Sequence, residues 1–250
     1  MTLTIEVLAG MGNRLRAMVS AMCLAEDLRT PLRVVWSANN PSCMAPFGSL
    51  FDVQQLPSWV TVQMGQVTEP SVSILSPSDL EMWLSSGVHD GTISSYGHFY
   101  QKDPERWLRH LRSLRPLLTV DVPQNAVGVH IRRGDHQLSK TQSPLDAFIS
   151  SMETYPETTL FIVATDSATE KKRLQERFGE RVVFHATSLS RMTLQGMRSA
   201  LTDFIALSKC KVILGSYNSS FSELAALYGG VQLQVVKITT CSRDHVSKFS

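Results

Sequence analysis

The chain has 250 residues, a formal net charge of +2 and 43% hydrophobic residues, enough for one large or two small domains around a real apolar core. A charge this close to neutral excludes the strongly basic surface of a nucleic-acid or membrane-surface protein. The four cysteines, at positions 23, 43, 210 and 241, show neither zinc spacing nor a disulfide framework, which predicts a reducing compartment.

The first element, Leu3 to Leu8, reads as a strand that begins almost at Met1. No charged and apolar leader precedes it, and no apolar run approaches the ~18 residues of a membrane span. No integral membrane segment is therefore expected. Gly10-Met11-Gly12 is a turn into a helix from Asn13 to Leu28, in which Leu15, Met18, Val19, Met22 and Ala25 follow helical spacing. Leu32 to Trp36 is the second strand. Residues 37–58 are loop-rich, with Pro41, Pro46 and Pro57. Val60 to Gln63, Val72 to Leu75 and Thr92 to Ser95 read as further strands. Asp103 caps a helix expected over Pro104 to Leu117, with proline at its first position. Arg106, Arg109, Arg112 and Arg115 recur every third residue and read as a solvated helix face. Leu118 to Asn125 reads as a linker, which divides the chain into residues 1–120 and 121–250.

In the second half, strands are expected over residues 126–131, 159–164, 181–184, 211–214 and 231–236. Helices are expected over 144–154, 167–178, 192–208 and 219–228. Ser167 and Glu170 form a capping-box signature for the second of these. Strands alternating with helices throughout predict an α/β fold with parallel sheets.

Four features carry chemistry. The strand that ends in V-G-V-H-I-R-R-G-D brings His130, Arg132, Arg133 and Asp135 to its carboxyl end, where open α/β sheets bind ligands. Guanidinium is always charged and forks onto phosphate through two parallel hydrogen bonds, so adjacent arginines there predict an anion site, best suited to a diphosphate. Gly10, Gly12 and Asn13 lie between a strand and a helix, where glycine lets the backbone approach a ligand and the helix N-terminus attracts anions. A dinucleotide fingerprint fails here, because Leu15 holds the third glycine's place and no acidic residue follows Trp36. Gly215, Ser216, Asn218, Ser219 and Ser220 end a strand and open a helix, a second phosphate-holding turn. Asp203 stands on an otherwise apolar helix, and Thr165-Asp166 ends another strand.

His130-x-Arg132-Arg133-x-Asp135 resembles the H-x-R-R-x-D motif of the α1,6-, α1,2- and protein-O-fucosyltransferases, including the bacterial nodulation enzymes. The stretch from Ala9 to Arg16 is similar to the glycine-rich first loop of that superfamily, and Asp203 to Phe221 to its late helix–strand–serine-turn block. The resemblance implies two Rossmann-like domains facing a cleft, a GT-B-like glycosyltransferase. Residues 1–120 would form the acceptor side and residues 121–250 the nucleotide-sugar-binding domain. It implies Arg132 on the donor diphosphate with Arg133 beside it, His130 against the nucleotide, and Gly12 and Asn13 facing the sugar and diphosphate. Arg14, ranked ahead of Arg16, would face the same cleft. Ser216, Ser219 and Ser220 would hold phosphate, and Asp166 the nucleoside. Asp203 would sit on the guanine edge, where one carboxylate can accept from both N1 and N2.

The expected reaction is inverting transfer of L-fucose from GDP-β-L-fucose to a glycan hydroxyl, with Arg132 and Asp135 as catalytic residues. No D-x-D is present, and arginine would replace a metal in stabilising the leaving group, so neither a metal nor a resident cofactor is expected. Asp135, His136 and Asp146 are candidate bases, beside a mechanism with no base. Trp36, Trp83 and Tyr96 are candidates to stack on an acceptor sugar, or core residues. A membrane anchor would mark a Golgi member, so its absence suggests a cytoplasmic enzyme of bacterial or viral type. Three alternatives remain: a related transferase using another nucleotide sugar, an inactive nucleotide- or carbohydrate-binding module, and, as the outsider, a Rossmann-type dehydrogenase or a plain interaction scaffold. The oligomeric state is not legible.

Overall fold

The computed structural model describes residues 2–37, 40–68, 70–86, 92–134 and 136–238. Asp135 and Cys241, both singled out above, lie outside them. The first half runs β1 (Leu3–Val7), α1 (Met11–Asp27), β2 (Leu32–Trp36), β3 (Val60–Met64), β4 (Ser71–Ser73), α2 (Pro77–Ser85), β5 (Thr92–Ser95) and α3 (Pro104–Ser113). The second half runs β6 (Val127–Ile131), α4 (Gln137–Gln142), α5 (Leu145–Glu153), β7 (Phe161–Thr165), α6 (Ala168–Phe178), β8 (Val182–Val183), α7 (Leu194–Ser208), β9 (Val212–Ser216), α8 (Ser220–Gly229) and β10 (Gln232–Val236).

Two five-stranded sheets form, in the orders β3-β2-β1-β5-β4 and β10-β9-β6-β7-β8. Every strand pairing within the two sheets is parallel. The inner strands β6, β7 and β9 are buried along their whole length, as in parallel sheets covered on both faces, while the edge strands β3, β4 and β10 are largely exposed. In each half the first strand lies at the centre, with its neighbours added to either side. The crevice of such a sheet opens beyond the carboxyl end of that central strand. Register aligns these ends: Val7 pairs with Trp36 and Ser95, and His130 with Ala164 and Gly215. The fold is thus α/β with two Rossmann-like halves.

One apolar core runs through both halves. It joins Ile5, Met18 and Met22 of the first to Phe204, Leu207 and Leu224 of the second. Helix α8 packs on both α1 and α3. Gly128 lets α7 settle on β6, since a Cβ there would lie 2.9 Å from a Leu207 methyl. A second core, with Val129, Phe148, Phe161 and Leu174, fills the other face of the second sheet.

Three sequence expectations need correction here. Helix α3 stops at Ser113, not Leu117, because Pro116 disfavours helical backbone at Arg115. Its arginines are not simply a solvated face. Arg106 forks onto Asp27, while Arg112 donates to the carbonyls of Tyr228 (3.2 Å) and Leu227 (3.1 Å) at the C-terminus of α8, where cationic donors are favoured. Ser167 caps α6 through the Glu170 amide, but the Glu170 carboxylate turns to Arg133 instead of closing a box. A full capping box exists instead at Ser76 and Asp79 of α2, a helix absent from the sequence reading, as is α4.

Candidate functional site

Two helix N-termini meet at the seam between the halves. After β1 the chain passes through Leu8, a left-handed Ala9 (φ 64°) and Gly10 before α1 begins. After β9 it passes through Tyr217, a left-handed Asn218 (φ 54°) and Ser219 before α8 begins. Among the described residues neither helix receives a side-chain cap, so both leave N–H donors and a positive dipole end to the space between them. Gly12 permits the contact, because a Cβ there would stand 3.3 Å from Ser220 Oγ. Ser220 Oγ donates to Asn13 Oδ1 at 2.8 Å, which leaves the Asn13 amide nitrogen as a donor.

Arg14 does not reach this space. It is 0% exposed, donates to the carbonyls of Ala9 (2.8 Å) and Ser37 (2.6 Å), and lies over the Trp36 ring at 5.0 Å. It holds the strained Ala9 turn from behind. Trp36 is equally buried, and Trp83 nearly so, so both are core residues. Arg16 reaches the cleft in Arg14's place, with its Nε on the Tyr96 carbonyl at 2.9 Å.

The two motif arginines part company. The Arg132 backbone N–H donates to Ser216 Oγ at 2.9 Å, and that hydroxyl donates to the His130 carbonyl at 3.2 Å. The Arg132 side chain pairs with the Asp166 carboxylate and lines the cleft. Arg133 points away from it. Its Nε donates to Glu170 at 2.5 Å and its Nη1 to the carbonyls of Arg132 (3.0 Å) and Ser143 (3.1 Å). Its backbone N–H donates to Asp166 Oδ1 at 2.7 Å. Arg133 and Ser216 therefore shape the loop and are not among the cleft-lining residues, as adjacent residues leaving a strand diverge. Gly134 (φ 29°) closes the turn, since a Cβ there would lie 2.8 Å from Asp166 Oδ2 and 3.2 Å from Arg132 Nη1.

His130 is buried, with its ring 4.9 Å from that of Phe221 and its Nδ1 3.5 Å from Ser219 Oγ. Burial holds its pKa down at about 4, so the ring is neutral. Asp203 faces the cleft from α7 and is also buried. Desolvation pushes its pKa up to about 7, opposed by nearby Lys171 and by a hydrogen bond from the Ala186 amide. Its Oδ1 is buried with no hydrogen-bond partner among the described residues, which leaves an acceptor open to a donor. Gly196 brings the start of α7 against Ser190. The segment carrying Ala186, Ser188 and Arg191 thereby flanks the cleft, and the Met44 amide donates to the Arg191 carbonyl at 3.1 Å.

The cleft so enclosed measures about 370 Å³. It brings together Gly12, Asn13, His130, Arg132, Asp166, Asp203, Ser219 and Ser220. Among the candidate bases, His136 lines the cleft. Asp146 is instead on exposed α5 surface beside Arg173. Sequence reasoning missed Glu223, which also lines the cleft, and placed Arg16 behind Arg14. Helical spacing carries the signal for both: Arg16 is three residues beyond Asn13, and Glu223 three beyond Ser220, so each shares a face with a residue already singled out.

By sequence the chain matches no family model and no curated protein. By structure it is similar to the NodZ α-1,6-fucosyltransferase soaked with GDP-fucose, with TM-score 0.62 and 17% identity over 91% of this chain and 93% of that one. The chain has the fold of a fucosyltransferase. A variant of Arabidopsis thaliana FUT1 in complex with GDP gives TM-score 0.64 at 16% identity, covering 93% of this chain and 69% of that one. POFUT1 in complex with GDP-fucose gives 0.55 at 10% identity, covering 92% and 96%. Among the described residues no helix is long and apolar enough to cross a membrane.

Proposed function

We propose that this chain is a glycosyltransferase that moves L-fucose from GDP-β-L-fucose to a glycan hydroxyl with inversion at the anomeric carbon. The observation that carries this reading is one cleft holding both Arg132 with two helix N-termini and the buried Asp203, whose Oδ1 has no hydrogen-bond partner among the described residues. The first set suits a diphosphate, and the second a base edge with two adjacent N–H donors, which guanine has and uracil and adenine lack. The fold shared with fucosyltransferases solved with GDP and GDP-fucose supports the same donor.

In this reading the diphosphate lies against the amides opening α1 and α8, the Asn13 amide and the Arg132 fork. Negative charge grows on the diphosphate as its bond to the sugar loosens, and fixed donors aimed there lower the barrier most in a site closed to water. Asp166 holds the Arg132 fork in place, and Arg133 with Glu170 anchors the loop. We propose that leaving-group stabilisation rests on these groups and needs no divalent cation. Residues 1–120 would present the acceptor and residues 121–250 the donor.

Thermal-shift measurement against GDP, UDP and ADP, followed by GDP release from GDP-fucose in excess EDTA, tests the reading. Selective stabilisation by GDP and chelator-resistant turnover are expected. Equal shifts with all three nucleotides would remove the guanine assignment. Turnover that collapses in EDTA and returns with Mn²⁺ would remove the metal-independent one.

A further inference from the structure

Three carboxylates of the described residues line the cleft, and two of them already have a place in the reading above. Asp166 accepts from the Arg132 guanidinium and from the Arg133 amide at 2.7 Å. Asp203 is buried against the Ala186 amide and Lys171. The third, Glu223, is exposed on the first turn of α8. Its carboxylate has no hydrogen-bond or ion-pair partner among the described residues, and only its long-range field reaches Arg16 on the facing helix. Arg16 is itself held by the Tyr96 carbonyl at 2.9 Å.

Resting on the transferase reading above, we propose that Glu223 is the general base that takes the proton of the attacking acceptor hydroxyl. Position is the first reason. Glu223 lies three residues beyond Ser220, one turn along the same face of α8, which is about 5 Å from the N-terminal amides proposed to hold phosphate. It lines the same cleft as those amides, from the turn that carries them.

Elimination among the described residues is the second reason. As the N-cap of α4, His136 accepts the Ser139 N–H on Nδ1 at 3.1 Å. The proton of the neutral ring is then on Nε2, a donor with no lone pair to offer. Asp166 cannot take a proton without releasing Arg132.

The balanced step follows. The acceptor oxygen bonds to the anomeric carbon as the bond from that carbon to the β-phosphate oxygen breaks. The electron pair leaves with the diphosphate at Arg132, and the hydroxyl proton passes to Glu223 and then to solvent.

The test uses GDP-β-L-fucose with water as acceptor, reading GDP release, with GDP affinity by calorimetry alongside. Glu223→Gln should lose about 10²–10⁴-fold in turnover, the range of a positioned base, with GDP affinity unchanged. Glu223→Ala should lose as much and recover part of it in added formate, which has no such effect on wild type. A Glu223→Gln protein with near wild-type turnover would overturn the proposal while leaving the transferase reading intact. So would one whose GDP affinity fell in step with its rate, because the carboxylate would then belong to the donor site. A wild-type chain that neither binds GDP nor releases it from GDP-fucose would overturn the transferase reading itself.

Discussion

Ala9 and Asn218 occupy like places in two strand-to-helix turns, one in each half of the molecule. Each lies two residues after a strand and two before a helix, and each is left-handed, with φ 64° and 54°. This turn swings each helix so that its uncapped first amides face the seam. Left-handed backbone is unfavourable for a residue with a Cβ and persists where the surroundings impose it. Arg14 supplies that constraint on one side through the Ala9 carbonyl.

Replacing either residue with a β-branched one should therefore disturb the turn. Ala9→Val and Asn218→Val are expected to lose about 1–3 kcal/mol each, and to weaken GDP binding by tilting the helix N-termini. Ala9→Gly, which adopts this conformation freely, should hold the wild-type melting temperature. Thermal melts of the three variants check this. Equal losses for Ala9→Gly and Ala9→Val would show that side-chain volume, and not backbone conformation, governs the site.

Arg132 and Arg133 should fail in different ways. Arg133→Met strands the nearly buried Glu170 carboxylate and should cost about 3 kcal/mol, seen as a melting temperature lower by roughly 6–12 °C. Adding Glu170→Met should recover part of that loss. Arg132→Lys should melt near wild type yet lose about 10²–10³ in turnover, since lysine keeps the charge but not the fork. Melts and initial rates on both variants separate the roles, and a catalytically dead but fully stable Arg133→Met would contradict the assignment.

Asp203 should couple nucleotide binding to pH. Its pKa is raised from 3.8 to about 7 by burial. Between those values the folded protein holds a proton that the unfolded chain has lost, so this residue's contribution to stability falls as pH rises through that window. Only the ionised form accepts from both guanine N–H donors, since the neutral acid turns one oxygen into a donor. GDP affinity should therefore rise by up to about tenfold per pH unit below 7 and level off above it. Asp203→Asn should bind GDP weakly, with that slope gone. Calorimetry in buffers of different ionisation enthalpy reads the released proton directly, and binding without proton release at pH 6 would remove Asp203 from the nucleobase contact.

Gly134 should tolerate no side chain. With φ 29° and a Cβ position 2.8 Å from Asp166 Oδ2, Gly134→Ala must push Asp166 off Arg132. We expect a stability loss of about 1–2 kcal/mol from strained backbone, with turnover falling at least as far as in Asp166→Asn. Turnover near wild type would mean that the pair does not position the Arg132 fork.

Much of this molecule was legible in the chain alone. The alternation of apolar strands with amphipathic helices determined the α/β class. Asp103 with Pro104 marked the start of α3, and the strand ends at Arg132 and Ser216 marked where the crevice opens. These are local signals, set by periodicity and by capping chemistry within a few residues. Tertiary structure alone decided which neighbour faces the ligand. Arg133 is withdrawn from the cleft by Glu170 and the Ser143 carbonyl, and Arg14 by the Ser37 carbonyl. These partners are ten to thirty-seven residues away in sequence. Spacing along an element says which residues share a face. Only the packing of α8 on α1 says which face meets the other half, and there the choice between a ligand and a buried partner is made.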